Sequence, residues 1–115
     1  EQWLAEHRNS FGLFLNGQWK KGAKQFETRN PANGKLLAKV AQASALDVDR
    51  AVAAAQAALK PWQALGGHGR ARHLYALARA LQKHSRLFAV LETLDNGKPI
   101  RESRDIDIPL AVRHF

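Results

Sequence analysis

The feature that most constrains this sequence is an apolar helical stripe that ends on a turn of fixed chemistry. The stripe has the spacing i, i+3, i+4 and i+7 and consists of Leu87, Val90, Leu91 and Leu94. Asn96-Gly97 follows it, and both residue types tolerate the positive φ angle at which many helices end. Pro99 then opposes continuation of the helix. The pattern predicts a core helix over about residues 85–96.

Two pairs of short strands are predicted before any long helix. Asn16-Gly17 lies between residues 13–16 and 18–20, and this dipeptide between apolar or aromatic runs favours a type I′ hairpin. A second pair is predicted at residues 26–29 and 36–41, joined by a turn that contains proline and glycine. Residues 1–10 form an N-terminal arm that the sequence leaves open as a helical turn or a disordered segment.

A helix is predicted to begin just after Ser44. Ser44 and Asp47 have the spacing of a capping box, and acidic residues near a helix start complement the helix dipole. The helix should cover residues 45–59 and end at Lys60-Pro61. Its apolar face consists of Val48, Val52, Ala55 and Leu59.

Further helical segments are predicted before and after the helix at residues 85–96. Glycine-rich residues 66–69 indicate a flexible break, and a helix over residues 70–83 should follow. Its core stripe is expected to be Leu74, Leu77 and Leu81. Beyond Pro99 we expect one or two helical pieces, with a break where Asp107 caps a helix whose first turn contains Pro109.

The formal net charge of +8 raises the question of a polyanion-binding surface. Arg72, Arg79 and Arg86 recur every seven residues, which indicates a solvated basic stripe opposite the apolar positions of a helix. The alternative is a small basic nucleic-acid-binding module that uses residues 70–86. We favour the solvated stripe and expect no nucleic-acid partner.

Several kinds of chemistry lack support in the residues. The chain has no cysteine, which excludes disulfides and thiolate metal sites. The five histidines do not have metal-ligand spacing, and residues 66–69 lack the spacing of a nucleotide-binding loop. Asp105 and Asp107 fit helix capping better than a catalytic pair. No apolar run approaches about 18 residues and no secretory signal pattern opens the chain, so we expect a cytoplasmic protein without a membrane partner.

The two ends of the 115-residue sequence lead us to expect part of a longer chain. It begins at Glu1 without methionine, and residues 110–115 have the pattern of an amphipathic helix that stops partway. Apolar faces would then be exposed, and we expect poor solubility or self-association of the chain by itself.

Four ordered motifs carry a resemblance to a known family. They are Phe-Leu-Asn-Gly-Gln-Trp at residues 14–19, Asn-Pro-Ala-Asn-Gly-Lys at 30–35, Asp-Val-Asp-Arg-Ala-Val at 47–52 and Glu-Thr-Leu-Asp-Asn-Gly-Lys-Pro at 92–99. Over residues 11–115 the chain resembles the N-terminal part of the aldehyde dehydrogenase superfamily. Residues 100–109 look most like the branch numbered family 16.

The resemblance implies an α/β fold in the parent protein, of which this chain would be the incomplete N-terminal part. Residues 11–43 would form the two β-hairpins, and residues 44–115 a helical layer of about four helices. The implied parent is likewise a homo-oligomer.

The implied activity is NAD(P)-dependent oxidation of an aldehyde to a carboxylic acid through a cysteine nucleophile. That cysteine and the turn that binds NAD or NADP would lie outside this chain, which we therefore expect to contain no catalytic or cofactor-binding residue and to be inactive alone. A catalytically degenerate, structural relative of the dehydrogenases is the alternative.

One site carries over from the resemblance residue by residue. Some aldehyde dehydrogenases bind a monovalent or divalent cation through backbone carbonyls before the Asn-Pro turn and through a carboxylate at the end of the Glu-Thr-Leu-Asp helix. The corresponding positions here are Thr28, Arg29 and Asp95. Oxygen donors of this kind suit hard cations.

Overall fold

The structure, a computed structural model, describes residues 2–115 and divides them into two compact units. The first unit holds the described residues up to Arg29 together with Lys35–Trp62. The second unit holds Asn30–Gly34 and Gln63–Phe115. The turn with the Asn-Pro motif therefore belongs to the same unit as the helix that ends at Asn96.

Among residues 2–115, all the strands lie in the first unit, together with two helices. The helices are α1 (Gln2–Glu6) and α2 (Ala45–Ala64), whose last two residues belong to the second unit. The strands are β1 (Ser10–Phe11), β2 (Leu13–Leu15), β3 (Gln18–Lys20), β4 (Lys24–Arg29) and β5 (Leu36–Gln42).

The first predicted hairpin is confirmed. Strands β2 and β3 pair antiparallel, with Leu15 opposite Gln18. Asn16 has a φ angle of 49° and Gly17 one of 74°, and two consecutive positive values are what a type I′ turn requires. Phe14 and Trp19 face each other across the hairpin, and their ring centroids are 5.1 Å apart.

The second predicted hairpin is also confirmed, as the antiparallel pair β4 and β5. The buried residues of β5 are Ala38 and Ala41. Strand β1 pairs with β5 in the parallel direction, through Ser10 opposite Lys39, and this pairing was not predicted. A strand of two residues is too short to carry an alternating pattern, so this strand has no signal in the sequence.

The arm before the hairpins contains a helix, which settles the alternatives that the sequence left open. In α1 the Trp3 ring packs on the His7 ring of the following turn, and the two ring centroids are 4.2 Å apart. It also stacks on Phe11, at 5.7 Å. Leu4 is the buried residue of this helix.

Helix α2 begins as predicted and ends later than predicted. The Ser44 amide and hydroxyl both donate to Oδ2 of Asp47, at 2.9 and 2.7 Å, and the Asp47 amide donates to the Ser44 hydroxyl at 3.2 Å, which confirms the capping box. These bonds lower the pKa of Asp47. The predicted end at Lys60-Pro61 is wrong, because Pro61 lies within the last turn of a helix that continues to Ala64.

The second unit is helical. Its elements are α3 (Gly66–Lys83), α4 (Ser85–Asn96), α5 (Ile100–Glu102), a π-helical segment (Ser103–Asp107) and α6 (Ile108–Arg113). The predicted bounds of α4 are confirmed, but its buried residue is Ala89, and Val90 of the predicted apolar stripe is 39% exposed. The predicted flexible break at residues 66–69 is wrong, because these glycines form the first turn of α3. Of these glycines Gly66 alone takes a positive φ angle, 67°, a conformation that glycine adopts without strain.

Of the predicted core stripe of α3, Leu74 and Leu77 are exposed and Leu81 is half-buried, so the stripe is only partly confirmed. Leu74 and Leu77 are 38% and 44% exposed, and the buried residue of the helix is Ala78. Helix α3 has 18 residues, whereas α6, which packs against it, has six, so only part of its length is covered.

The predicted break before Pro109 is also wrong. Pro109 occupies the first turn of α6 as expected, but Asp107 has helical angles, with φ −66° and ψ −51°, and makes no capping bond. The π-helical segment carries the chain from α5 into α6 without interruption. Among residues 2–115, no helix has both the length and the apolar composition needed to cross a bilayer.

Candidate functional site

The turn after α4 is built by hydrogen bonds from its own side chains. Gly97 has a φ angle of 80°, and its amide donates to the carbonyl of Thr93 at 3.0 Å, which ends the helix. Oδ1 of Asn96 accepts the Lys98 amide at 2.7 Å, and Nδ2 of Asn96 donates to Oε1 of Glu92 at 2.6 Å. The motif therefore specifies the shape of this turn.

An ion pair connects the turn to the helices that follow it. Nζ of Lys98 donates to Oδ1 of Asp107 at 2.8 Å. Oδ2 of Asp107 is buried and accepts no well-aligned hydrogen bond, yet it lies 2.6 Å from the same nitrogen. Glu102 is 3.9 Å away. The hydrogen bond to Asp107 raises the pKa of Lys98, against a smaller opposing effect of burial.

These contacts replace the roles predicted for two aspartates. The capping role predicted for Asp107 is wrong, because its carboxylate pairs with Lys98 instead. Asp105 accepts two hydrogen bonds from the neighbouring Arg104, at 2.6 and 2.8 Å, and these bonds lower the pKa of Asp105. Each carboxylate thus has its own cationic partner.

A hydrogen bond between two hydroxyl groups lies where the π-helical segment contacts α4. Ser103 is fully buried, with 0% of its surface exposed. The Thr93 hydroxyl donates to the Ser103 hydroxyl oxygen at 3.1 Å. Because buried hydroxyls are costly without a partner, this bond fixes the π-helical segment against α4.

The Asn-Pro turn lies beside the end of α4. Oδ1 of Asn30 accepts the Ala32 amide at 2.9 Å, and the Asn30 carbonyl accepts the Gly34 amide at 2.8 Å. A Cβ atom built on Gly97 would lie 3.1 Å from Cγ of Pro31, so the turn and the end of α4 are in close contact. The two most specific motifs of the sequence therefore meet within one unit.

The residues predicted to bind a cation lie in both units. Thr28 and Arg29 end β4, at a β-bulge, and belong to the first unit. Asp95 lies exposed in the last turn of α4, in the second unit. The Arg29 guanidinium pairs with Oε2 of Glu27 at 2.5 Å, which offsets its charge near the carbonyl donors. Their joint role as cation ligands stays a prediction.

Metal sites and nucleotide-binding turns each need a particular arrangement of residues. Residues 2–115 bring together no group of three histidine, aspartate or glutamate side chains that could hold a metal ion. The glycines at the start of α3 follow a helix and not a strand, so they do not form the strand-to-helix turn that holds a nicotinamide cofactor.

The Asn-Pro motif and the motif that ends α4 both lie in a segment that matches a known protein family. Residues 19–115 match the model of the aldehyde dehydrogenase family. This chain belongs to the aldehyde dehydrogenase family. The sequence-based recognition of the superfamily is thus confirmed, and the matched range includes both motifs.

Solved aldehyde dehydrogenase structures have the same fold over this segment. One from Burkholderia cenocepacia shares 38% identity, with a TM-score of 0.84 over 89% of this chain and 21% of its own. An NAD⁺ complex of the Bacillus cereus enzyme shares 37% identity, with a TM-score of 0.89 over 96% of this chain and 23% of its own. A variant of aldehyde dehydrogenase C from Pseudomonas syringae, in complex with NAD⁺ and octanal, shares 30% identity, with a TM-score of 0.85 over 93% of this chain and 22% of its own.

These relatives confirm the predicted fold class. The neighbours are α/β proteins, and this chain supplies the expected short strands followed by helices. The chain spans between a fifth and a quarter of the length of each of these three structures.

The Lys98–Asp107 pair gives a pH prediction for this aldehyde dehydrogenase segment. Because the pKa of Lys98 is raised in the folded state, its contribution to stability is complete below the ordinary lysine pKa of about 10.4. The contribution should be lost as the pH rises through the higher folded pKa. Unfolding midpoints measured from neutral to strongly alkaline pH should therefore show a loss that Lys98→Met abolishes.

A matched control is Lys83→Met, at the last turn of α3, which removes a lysine outside this ion pair. The control should retain the alkaline loss of the original chain. An alkaline profile unchanged by Lys98→Met would contradict the assignment.

Proposed function

We propose that this chain is the N-terminal segment of an NAD-dependent aldehyde dehydrogenase that oxidises an aldehyde to a carboxylic acid. The family match over residues 19–115 is the observation that carries the proposal. The Bacillus cereus relative binds NAD⁺, and the Pseudomonas syringae relative binds NAD⁺ and octanal, which favours NAD over NADP and an aldehyde as substrate.

Within that enzyme the chain acts as scaffold. Its family motifs are engaged in shaping the turn after α4, through Asn96, Gly97 and Lys98, and not in presenting reactive groups. The sequence contains no cysteine to serve as the nucleophile. We therefore propose that the 115-residue chain is inactive by itself and that catalysis belongs to the longer protein.

The cation site forms a second part of the proposal. The carbonyl groups of Thr28 and Arg29 and the carboxylate of Asp95 are hard oxygen donors, which suit a monovalent or divalent cation. The pairing of Arg29 with Glu27 supports this role because it offsets the positive charge beside the donors. Equilibrium dialysis of the longer protein against Na⁺ or Mg²⁺ should show bound cation that Asp95→Asn reduces.

The remaining expectations from the sequence belong to the same proposal. They are a homo-oligomeric parent, membership of the family 16 branch on the strength of residues 100–109, and a cytoplasmic location. The branch assignment rests on the resemblance of residues 100–109, and the sequence that follows Phe115 would test it.

The experiment begins with the coding sequence that follows Phe115. If the frame continues to a glycine-containing cofactor turn, a glutamate base and a cysteine, the purified product should reduce NAD when given an aldehyde. A continuation without the cysteine would indicate the degenerate structural relative. A stop codon directly after Phe115 would overturn the proposal and direct attention to the basic module, whose binding to DNA would weaken steeply with salt.

A further inference from the structure

The chain contains three Asn-Gly dipeptides, at residues 16–17, 33–34 and 96–97. Asparagine before glycine is prone to lose its side-chain amide spontaneously, because glycine has no side chain to shield its own amide nitrogen from the asparagine. All three asparagines are exposed, so access of water does not distinguish them. The hydrogen bonds that hold each dipeptide therefore decide which of them reacts.

The dipeptide at the end of α4 is held at every atom that would have to react. Nδ2 of Asn96 donates to Glu92 at 2.6 Å, and Oδ1 of Asn96 accepts the Lys98 amide at 2.7 Å. The Gly97 amide, whose nitrogen would have to attack, donates to the carbonyl of Thr93 at 3.0 Å. Reaction here requires the helix end to open, so the folded structure protects Asn96.

The dipeptide in the Asn-Pro turn is held at the attacking nitrogen. The Asn33 and Gly34 amides both donate to the Asn30 carbonyl, at 3.3 and 2.8 Å. The shorter of these bonds holds the proton that the Gly34 nitrogen must lose before it can attack. The folded turn therefore opposes the reaction at Asn33 as well.

The tip of the first hairpin differs from both. Asn16 and Gly17 form the loop between β2 and β3, and among residues 2–115 neither the Asn16 side chain nor the Gly17 amide takes part in a hydrogen bond. The type I′ turn must open before the Gly17 nitrogen can reach Cγ of Asn16. Its sheet, however, has only two strands of three residues each. Two-stranded hairpins by themselves are marginally stable in water, so this opening requires little free energy.

We propose that Asn16 is a site of spontaneous covalent modification, at which the side-chain amide is lost through attack by the Gly17 nitrogen. That nitrogen gives its proton to solvent and bonds to Cγ of Asn16. The bond from Cγ to Nδ2 breaks, ammonia leaves after taking up a proton, and a cyclic imide remains. Water then opens the imide at either of its carbonyl carbons to give aspartate or isoaspartate, without oxidation or reduction. The proposal does not depend on the enzymatic activity proposed above.

The two products should differ in structure although they carry the same charge. In isoaspartate the chain passes through Cγ of residue 16, which lengthens the backbone of the loop. A type I′ loop of two residues cannot accommodate a longer backbone, so the pairing of Leu15 with Gln18 should be lost. Aspartate keeps the original backbone, and Asp-Gly also suits this turn. Formation of isoaspartate therefore removes the hairpin, whereas formation of aspartate retains it.

Peptide mapping by mass spectrometry tests the site. The purified 115-residue chain is incubated at mildly alkaline pH, and each Asn-Gly peptide is followed by its mass increase from amide to acid. Conversion at residue 16 should be about tenfold faster or more than at residue 96, because the rate follows the population of the open state. The same incubation in guanidinium chloride, where the protecting hydrogen bonds are broken, should give comparable rates at all three sites.

Asn16→Asp and Asn33→Asp form a matched pair of variants. Asn16→Asp should abolish most of the early release of ammonia from the folded chain, whereas Asn33→Asp should leave it nearly unchanged. Amide hydrogen exchange measured by NMR tests the structural consequence. Asn16→Asp should retain slow exchange in β2 and β3, and the isoaspartate form, separated by chromatography, should lose it.

Three outcomes would overturn the proposal. The first is conversion at residue 33 or 96 of the folded chain that equals or exceeds conversion at residue 16, which would mean that the hydrogen bonds do not protect. The second is a preference for residue 16 that is as strong in guanidinium chloride, which would mean that local sequence selects the site. The third is an Asn16 amide that stays intact in the folded chain and reacts only when the chain is unfolded.

Discussion

Replacement of Ser103 by leucine should lower the free energy of unfolding of the 115-residue chain by about 3 kcal/mol. Ser103 is fully buried, so a larger side chain has no space without displacing α4 or the π-helical segment. The substitution also removes the oxygen that accepts the Thr93 hydroxyl. Urea unfolding followed by circular dichroism measures the change.

Ser103→Ala separates the two causes. This control deletes the hydrogen bond without adding volume, and should cost about 1 kcal/mol. If leucine and alanine at this position had equal effects, overpacking would not contribute, and the close packing of Ser103 would be contradicted.

Replacement of Gly97 by alanine is the second large effect, with an expected loss of about 2 kcal/mol or more. The φ angle of 80° is unfavourable for any residue with a Cβ atom, which accounts for about 1–2 kcal/mol. The new Cβ would also lie 3.1 Å from Cγ of Pro31, tighter than ordinary contact. The Asn-Pro turn and the end of α4 would have to move apart.

Gly34→Ala is the matched control for this prediction. Gly34 has a similar φ angle of 69°, but no atom lies within 4 Å of its built Cβ. The control should show the conformational cost alone, and the difference between the two variants measures the contact with Pro31. Equal losses in the same urea unfolding experiment would mean that this contact does not resist the added methyl group.

Local patterns account for the part of the fold that could be predicted. The type I′ turn at Asn16-Gly17 and the capping box of Ser44 and Asp47 each depend on residues within a few positions of one another. Their geometry is therefore encoded where it occurs. The end of α4 at Asn96 was predictable for the same reason.

The predictions that were wrong concern contacts between distant residues or departures from local preference. Pro61 and the glycines after Leu65 interrupt helices on average, yet here they lie within the end of one helix and the start of the next. The pairing of Lys98 with Asp107 spans nine positions and depends on the π-helical segment between them. No spacing rule for α-helices or strands predicts that segment.

The candidate site was predictable to a similar degree. The motifs at residues 30–35 and 92–99 were recognised from sequence, but their direct contact through Pro31 and Gly97 became visible only in the structure. The buried position of Ser103 had no sequence signal, because a serine among charged residues usually lies at the surface. The assignment of Thr28, Arg29 and Asp95 to a cation remains a prediction from the resemblance.

The π-helical segment also sets the phase of the last helix. The Ile108 amide donates to the carbonyl of Ser103, five residues earlier, so this turn holds one residue more than an α-helical turn would. Each residue of an α-helix advances the side-chain direction by about 100°. The extra residue is therefore taken up within the turn, and loss of one residue here would restore an α-helical turn and leave α6 at nearly the same rotation against α3. The same deletion in an ordinary α-helix would rotate everything after it by about 100°, so this turn is where the helical segment best tolerates a change of length.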